Sequence, residues 1–144
     1  MGFFKNEIEL EKEGKLTEKD VGYLQDAFEN LKNAAGLESH CLGDFVISPS
    51  KENLQKINNA RRRRTILMEL TITSVGAKLS NEEWCEVKHI CLAAMGCQEC
   101  IARHSVVGNL KLSTEYSKMH KEFYLEFLNL MGVNEKNLKS QTSA

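Results

Sequence analysis

Apolar residues recur along most of this chain at steps of three and four, the period of a helix with one buried face. Val21, Leu24, Phe28 and Leu31 keep that spacing after Thr17, whose hydroxyl can cap a first helix, with Asp20 three residues on and Gly36 as its stop. Residues 36–48 then read as a loop. Ser48 followed by Pro49 predicts the start of a second, longer helix, carried by Leu54, Ile57, Leu67, Leu70 and Val75 towards Gly76. Its second half, TILMELTITSV, is rich in the β-branched residues that also suit strands.

Ser80 and Glu83 form a capping-box pattern that opens a third helix through Trp84, Val87 and Cys91 to about Met95. A fourth is expected from Gly96 to Gly108, which puts a chain reversal at Met95-Gly96. Ser113 is read as the cap of the last helix, in which Tyr116, Met119, Phe123, Phe127 and Leu130 repeat as a core stripe ending at Gly132. Glu7, Ile8, Glu9, Leu10 and Glu11 alternate over too short a run for a strand, so 1–16 is taken as a charged arm. The expected organisation is all-α: an arm at 1–16, one helical domain at 17–132 and a polar tail at 133–144.

Composition bounds the partners. The 144 residues suffice for one core without disulfide or metal staples, and a single proline favours helices over many short strands. A net charge of −1 gives no global positive field, which argues against a general nucleic-acid binder. No run has the apolar length of a membrane span or of a signal peptide, and the expected location is the cytoplasm. There, five cysteines do not make a structural disulfide framework, and any disulfide is transient.

The chemistry concentrates in CLAAMGCQECIARH, 91–104. Cys97 and Cys100 lie within one helical turn, and His104 follows Cys100 by four residues, one further turn along the same face. Such a stretch can be a redox dithiol, part of a metal site or a sulfur-rich core. With a helix starting at Gly96, Cys97 would meet free amides that favour its thiolate. Glu86 is 18 residues before His104, so one continuous helix would hold them about 27 Å apart. A reversal at Met95-Gly96 would instead set them opposite one another, as carboxylate, imidazole and thiol in sequence.

Glu86 with GCQECIARH at 96–104 resembles the alkyl hydroperoxidase D-like branch of the carboxymuconolactone decarboxylase superfamily, marked by Glu, a gap, then C-x-x-C-x-x-x-H. The likeness is strongest over 80–115. It implies an all-α, single-domain helical bundle whose helical hairpin carries the motif, with no cofactor. It also implies a thiol-dependent peroxidase or disulfide reductase in which Cys97 and Cys100 form the redox disulfide. Cys100 would meet the peroxide or partner disulfide, and His104 and Glu86 would relay protons. Dihydrolipoyl or thioredoxin-like proteins would be the thiol donors, and the chain would assemble as a trimer or hexamer. Two positions depart from the family pattern. Its glutamate usually stands where this chain has Cys85, so Glu83 or Glu82 could replace Glu86, and Gln98-Glu99 replace the histidine some members carry between the cysteines.

Two alternatives stand beside this reading. One is a non-catalytic zinc module built from Cys85, Cys91, Cys97, Cys100 and His104, with His89 nearby. The other is a carboxymuconolactone decarboxylase-like enzyme without redox cycling. Cys41, Cys85 and Cys91 are otherwise expected to be structural, Arg61-Arg62-Arg63-Arg64 to make ion pairs or a subunit contact, and Arg103 an exposed salt bridge.

Overall fold

The computed structural model describes residues 18–133, and the arm at 1–16, the Thr17 cap and residues 134–144 lie outside it. Four helices account for most of the described chain: α1 (Glu18–Ile47), α2 (Lys51–Val75), α3 (Asn81–Val106) and α4 (Leu110–Leu130). No strand occurs among the described residues, and none of their helices is long and apolar enough to cross a membrane. The all-α expectation holds at this level.

α1 is the middle layer. One of its faces packs on α2, another on α3, and α3 pairs closely with α4; α1 touches α4 more lightly. Leu24, Phe28, Leu31 and Ala35 of α1 join Val87, Ile90, Cys91 and Ala94 of α3 and Phe127 of α4 in one core, each less than a tenth exposed. Full burial of one such leucine or phenylalanine contributes roughly 1.5–3 kcal/mol. Met131 and Val133 are also buried, so the folded region reaches at least one residue into the stretch expected to be tail.

Local signals set several helix ends. The Ser80 hydroxyl accepts from the Glu83 amide and the Glu83 carboxylate accepts from the Ser80 amide, a closed capping box. Gly76 ends α2 with φ 66°, a left-handed conformation that costs glycine little. The cap of α2 is Ser50, two residues beyond the expected Ser48, and α4 is capped by Asn109, whose Oδ1 accepts from the Leu112 amide, instead of by Ser113. TILMELTITSV is helical, and the hydroxyls of Thr71 and Ser74 donate to the carbonyls of Leu67 and Leu70, one turn back.

Two expected interruptions are absent. α1 runs through Gly36 to Ile47, so 36–48 is not a loop. The continuation has partners: Cys41 is buried, and the half-buried Arg64 of α2 donates from Nε to the buried Glu38. A β-carbon on Gly36 would come within 3.5 Å of Met95. α3 is likewise unbroken at Met95-Gly96. Gly96 points to open space, and a helix can carry such a glycine at a cost of about 1 kcal/mol. The chain reverses instead at Val107-Gly108-Asn109, with Gly108 at φ 71°. A hairpin does carry the motif, but its turn follows His104 and does not precede Cys97.

Candidate active site

Cys97, Cys100 and His104 stand at i, i+3 and i+7 on α3, all partly exposed. Helix geometry spaces the two cysteine Cα atoms about 5 Å apart, inside the range a disulfide spans. Both thiols are free. The place is the second half of a 26-residue helix, so Cys97 has no free amides beside it. Burial first, and then Cys100, push its thiol up instead of down. Helix-start activation of Cys97 is therefore overturned.

The same continuity decides the fate of Glu86. Eighteen residues are five full turns, which put Glu86 and His104 on the same side of α3 but about 27 Å apart. Glu83 and Glu82 lie further away still, and Glu83 is occupied at the cap. No carboxylate of the 82–86 stretch relays to His104 within one chain.

What faces the motif comes from α4. After the turn at Gly108, Tyr116 returns alongside α3, where its ring stacks on His104 with centroids 5.7 Å apart and planes 12° apart, one helical turn from Cys100. Tyr116 was expected in the core with Phe123 and Phe127; Phe127 is buried there, Phe123 is half-buried, and the partly exposed Tyr116 lies against His104. Cys100 above all, then burial and Cys97, hold the phenol above its ordinary value, so it keeps its proton near neutral pH.

Behind Gln98 lies a buried cation. Lys32 of α1 is 1% exposed, and its ammonium meets Glu29 Oε1 at 2.8 Å, Gln98 Oε1 at 2.9 Å and His120 Nε2 at 2.9 Å. Three acceptors match its three protons. The ammonium also lies 5.1 Å from the centre of the Phe28 ring. Since lysine can only donate, His120 accepts at Nε2 as the neutral ring. Burial, then Lys32, lower its proton affinity, while Glu29 acts the other way.

A pH dependence follows. The folded chain holds the His120 proton less tightly than an unfolded chain with the ordinary value of 6.5, so the unfolded state binds more protons as pH falls below 6.5. The His120 contribution is thus complete above 6.5 and declines on acidification through the lower folded value. Urea unfolding at about pH 7.5 and about pH 5.5 should show wild type losing more stability than His120→Gln, which keeps an acceptor for Lys32 without titrating. Equal losses would remove His120 from the account.

The remaining cysteines separate cleanly. Burial pushes Cys91 up to about 12, against the opposing pull of Lys32 and Arg64, and leaves it inert. Cys41 is buried too, whereas Cys85 is exposed and so has no core role. Among the described residues no three His, Cys, Asp or Glu side chains converge on a metal-sized space. Of the arginine run, Arg64 makes the expected ion pair and Arg61, Arg62 and Arg63 are exposed.

The sequence spacing that puts Cys97, Cys100 and His104 along one helix is kept in the structure, whereas the approach of Tyr116 and the Lys32, Gln98 and His120 cluster were not anticipated. A signal for Tyr116 existed: 100 and 116 are equidistant from Gly108, and the mirror argument applied to that glycine pairs them. No protein-family model, curated protein sequence or solved structure matches this chain.

Proposed function

We propose that the chain is a thiol-dependent oxidoreductase whose Cys97 and Cys100 alternate between dithiol and disulfide. One observation carries this reading: two partly exposed thiols at disulfide-compatible spacing, with an imidazole one turn on and a phenol ring stacked on that imidazole. Cys100 is the attacking thiol, because His104 stands one helical turn from it with Tyr116 stacked alongside, while Cys97 is pushed up by burial and by Cys100 itself. Cys97 resolves the product.

The likeness of C-x-x-C-x-x-x-H to alkyl hydroperoxidase D-like proteins supports a peroxide or a partner protein's disulfide as oxidant. It supports a dihydrolipoyl or thioredoxin-like protein as reductant, and assembly as a homo-oligomer. Free thiols at all five cysteines fit a reducing compartment such as the cytoplasm.

Peptide mass spectrometry after brief peroxide treatment tests the reading. The tryptic peptide 89–103 contains Cys91, Cys97 and Cys100. It should lose two hydrogens, fragment as a 97–100 loop with Cys91 still alkylatable, and recover them with dithiothreitol. Cysteines that stay reduced while free glutathione is oxidised would sink the proposal.

A further inference from the structure

We propose that Tyr116 is the acid of this dithiol, protonating the oxygen that leaves when Cys100 attacks a peroxide. The inference rests on the redox reading above. Its geometry is independent of Glu86 and of any broken helix: the parallel stack on His104 at 5.7 Å fixes the ring plane and sets the phenol beside the helical turn that carries Cys100, the group that most raises its proton affinity. The stack presents the face of His104 to Tyr116, leaving the imidazole nitrogens at the ring edge, free of that contact.

The chemistry asks for a donor at this place. Cys100 thiolate attacks one peroxide oxygen, so that an S–O bond forms and the O–O bond breaks. The sulfur gives up two electrons, and the other oxygen departs as alkoxide or hydroxide. Hydroxide is the base of water, with a pKa near 15.7, whereas a phenol has a pKa near 10. Transfer from an ordinary phenol is downhill by roughly five units, and the upward push from the neighbouring thiols reduces that margin. That push also keeps Tyr116 protonated near neutral pH, so it acts there as a donor and not as a base. The phenolate then recovers a proton from the Cys97 thiol. Cys97 thiolate attacks the sulfenic sulfur, the S–S bond forms, and hydroxide leaves as water with a proton from solvent.

Tyr116→Phe keeps the ring, its stack and its volume and removes only the proton. Two single-turnover reactions of the full chain separate its roles. Hydrogen peroxide and tert-butyl hydroperoxide need a protonated leaving group, whereas 5,5′-dithiobis(2-nitrobenzoate) releases a thiolate that is stable without a proton. General acid catalysis of this kind is worth 10² to 10⁴, so the peroxide reactions should slow by at least about 10²-fold while the aromatic disulfide reaction stays within about twofold. Slowing should be greater for tert-butyl hydroperoxide, whose alkoxide is the more basic leaving group. Peroxide rates unchanged in Tyr116→Phe, or both reactions slowed alike, would overturn the role of Tyr116 while leaving the dithiol reading intact. A wild-type chain that reacts with neither reagent faster than glutathione does would overturn both.

Discussion

Cys100→Ser should abolish peroxide consumption, and Cys97→Ser should permit one turnover and then stop. Peroxide is attacked by a thiolate, and a serine hydroxyl neither ionises near neutral pH nor accepts the oxygen, so the loss in the first variant should be at least about 10³-fold. No other cysteine stands ready to substitute. Cys91 is held at about 12, Cys41 is buried, and Cys85 is outside the site. In Cys97→Ser the first step should survive, because the substitution leaves Cys100, His104 one turn on and the Tyr116 stack in place. Without a resolving thiol, the sulfenic acid should accumulate, be trapped by dimedone at Cys100, and with excess peroxide pass to the sulfinic acid. Dimedone at Cys97 in Cys100→Ser, with peroxide consumption retained, would exchange the two roles.

Phe28→Ala should cost about 3–5 kcal/mol, a large share of the stability of a domain this size. The ring is 1% exposed and lies where α1 meets α4, with centroids 4.8 Å from Phe127, 5.1 Å from Tyr124 and 5.9 Å from His120. It also underlies the Lys32 ammonium at 5.1 Å. Truncation would therefore leave a cavity in the lightest of the α1 contacts and take away the apolar floor beneath a buried charge. Phe28→Leu, which retains most of the volume, should cost clearly less. Urea unfolding of the two variants measures both values, and a loss below about 1 kcal/mol for Phe28→Ala would mean that this corner collapses to fill the space.

The helix ends that chemistry fixes locally were legible in the sequence. Ser80 with Glu83, Gly76 and Gly132 each mark an end, because the cap or the left-handed glycine needs only its own neighbours. Gly36 and Gly96 carry the same local signal and do not stop their helices. What distinguishes them is tertiary: Glu38, Cys41 and Arg64 hold α1 together past Gly36, and the pairing of α3 with α4 carries α3 past Gly96. The site followed the same division. Cys97, Cys100 and His104 share a face by spacing alone, whereas Glu86 was placed by a turn that lies elsewhere. Lys32, Gln98 and His120 come from three helices, and no single stretch announces that they meet.

The layout of the hairpin bears on the order in which the molecule assembles. Cys97, Cys100, His104 and Tyr116 lie within twenty residues of one another around a single short turn, so bringing them together closes only a small loop. The Lys32 contacts to Gln98 and His120 instead bridge 66 and 88 residues. Contacts of low sequence separation form first when loop closure dominates the barrier. The two cysteines and Tyr116 should thus be in place on the α3–α4 hairpin before α1 docks and Lys32 is sealed in, and on the proposed redox reading an oxidant present during folding would meet the thiol pair in an unfinished protein.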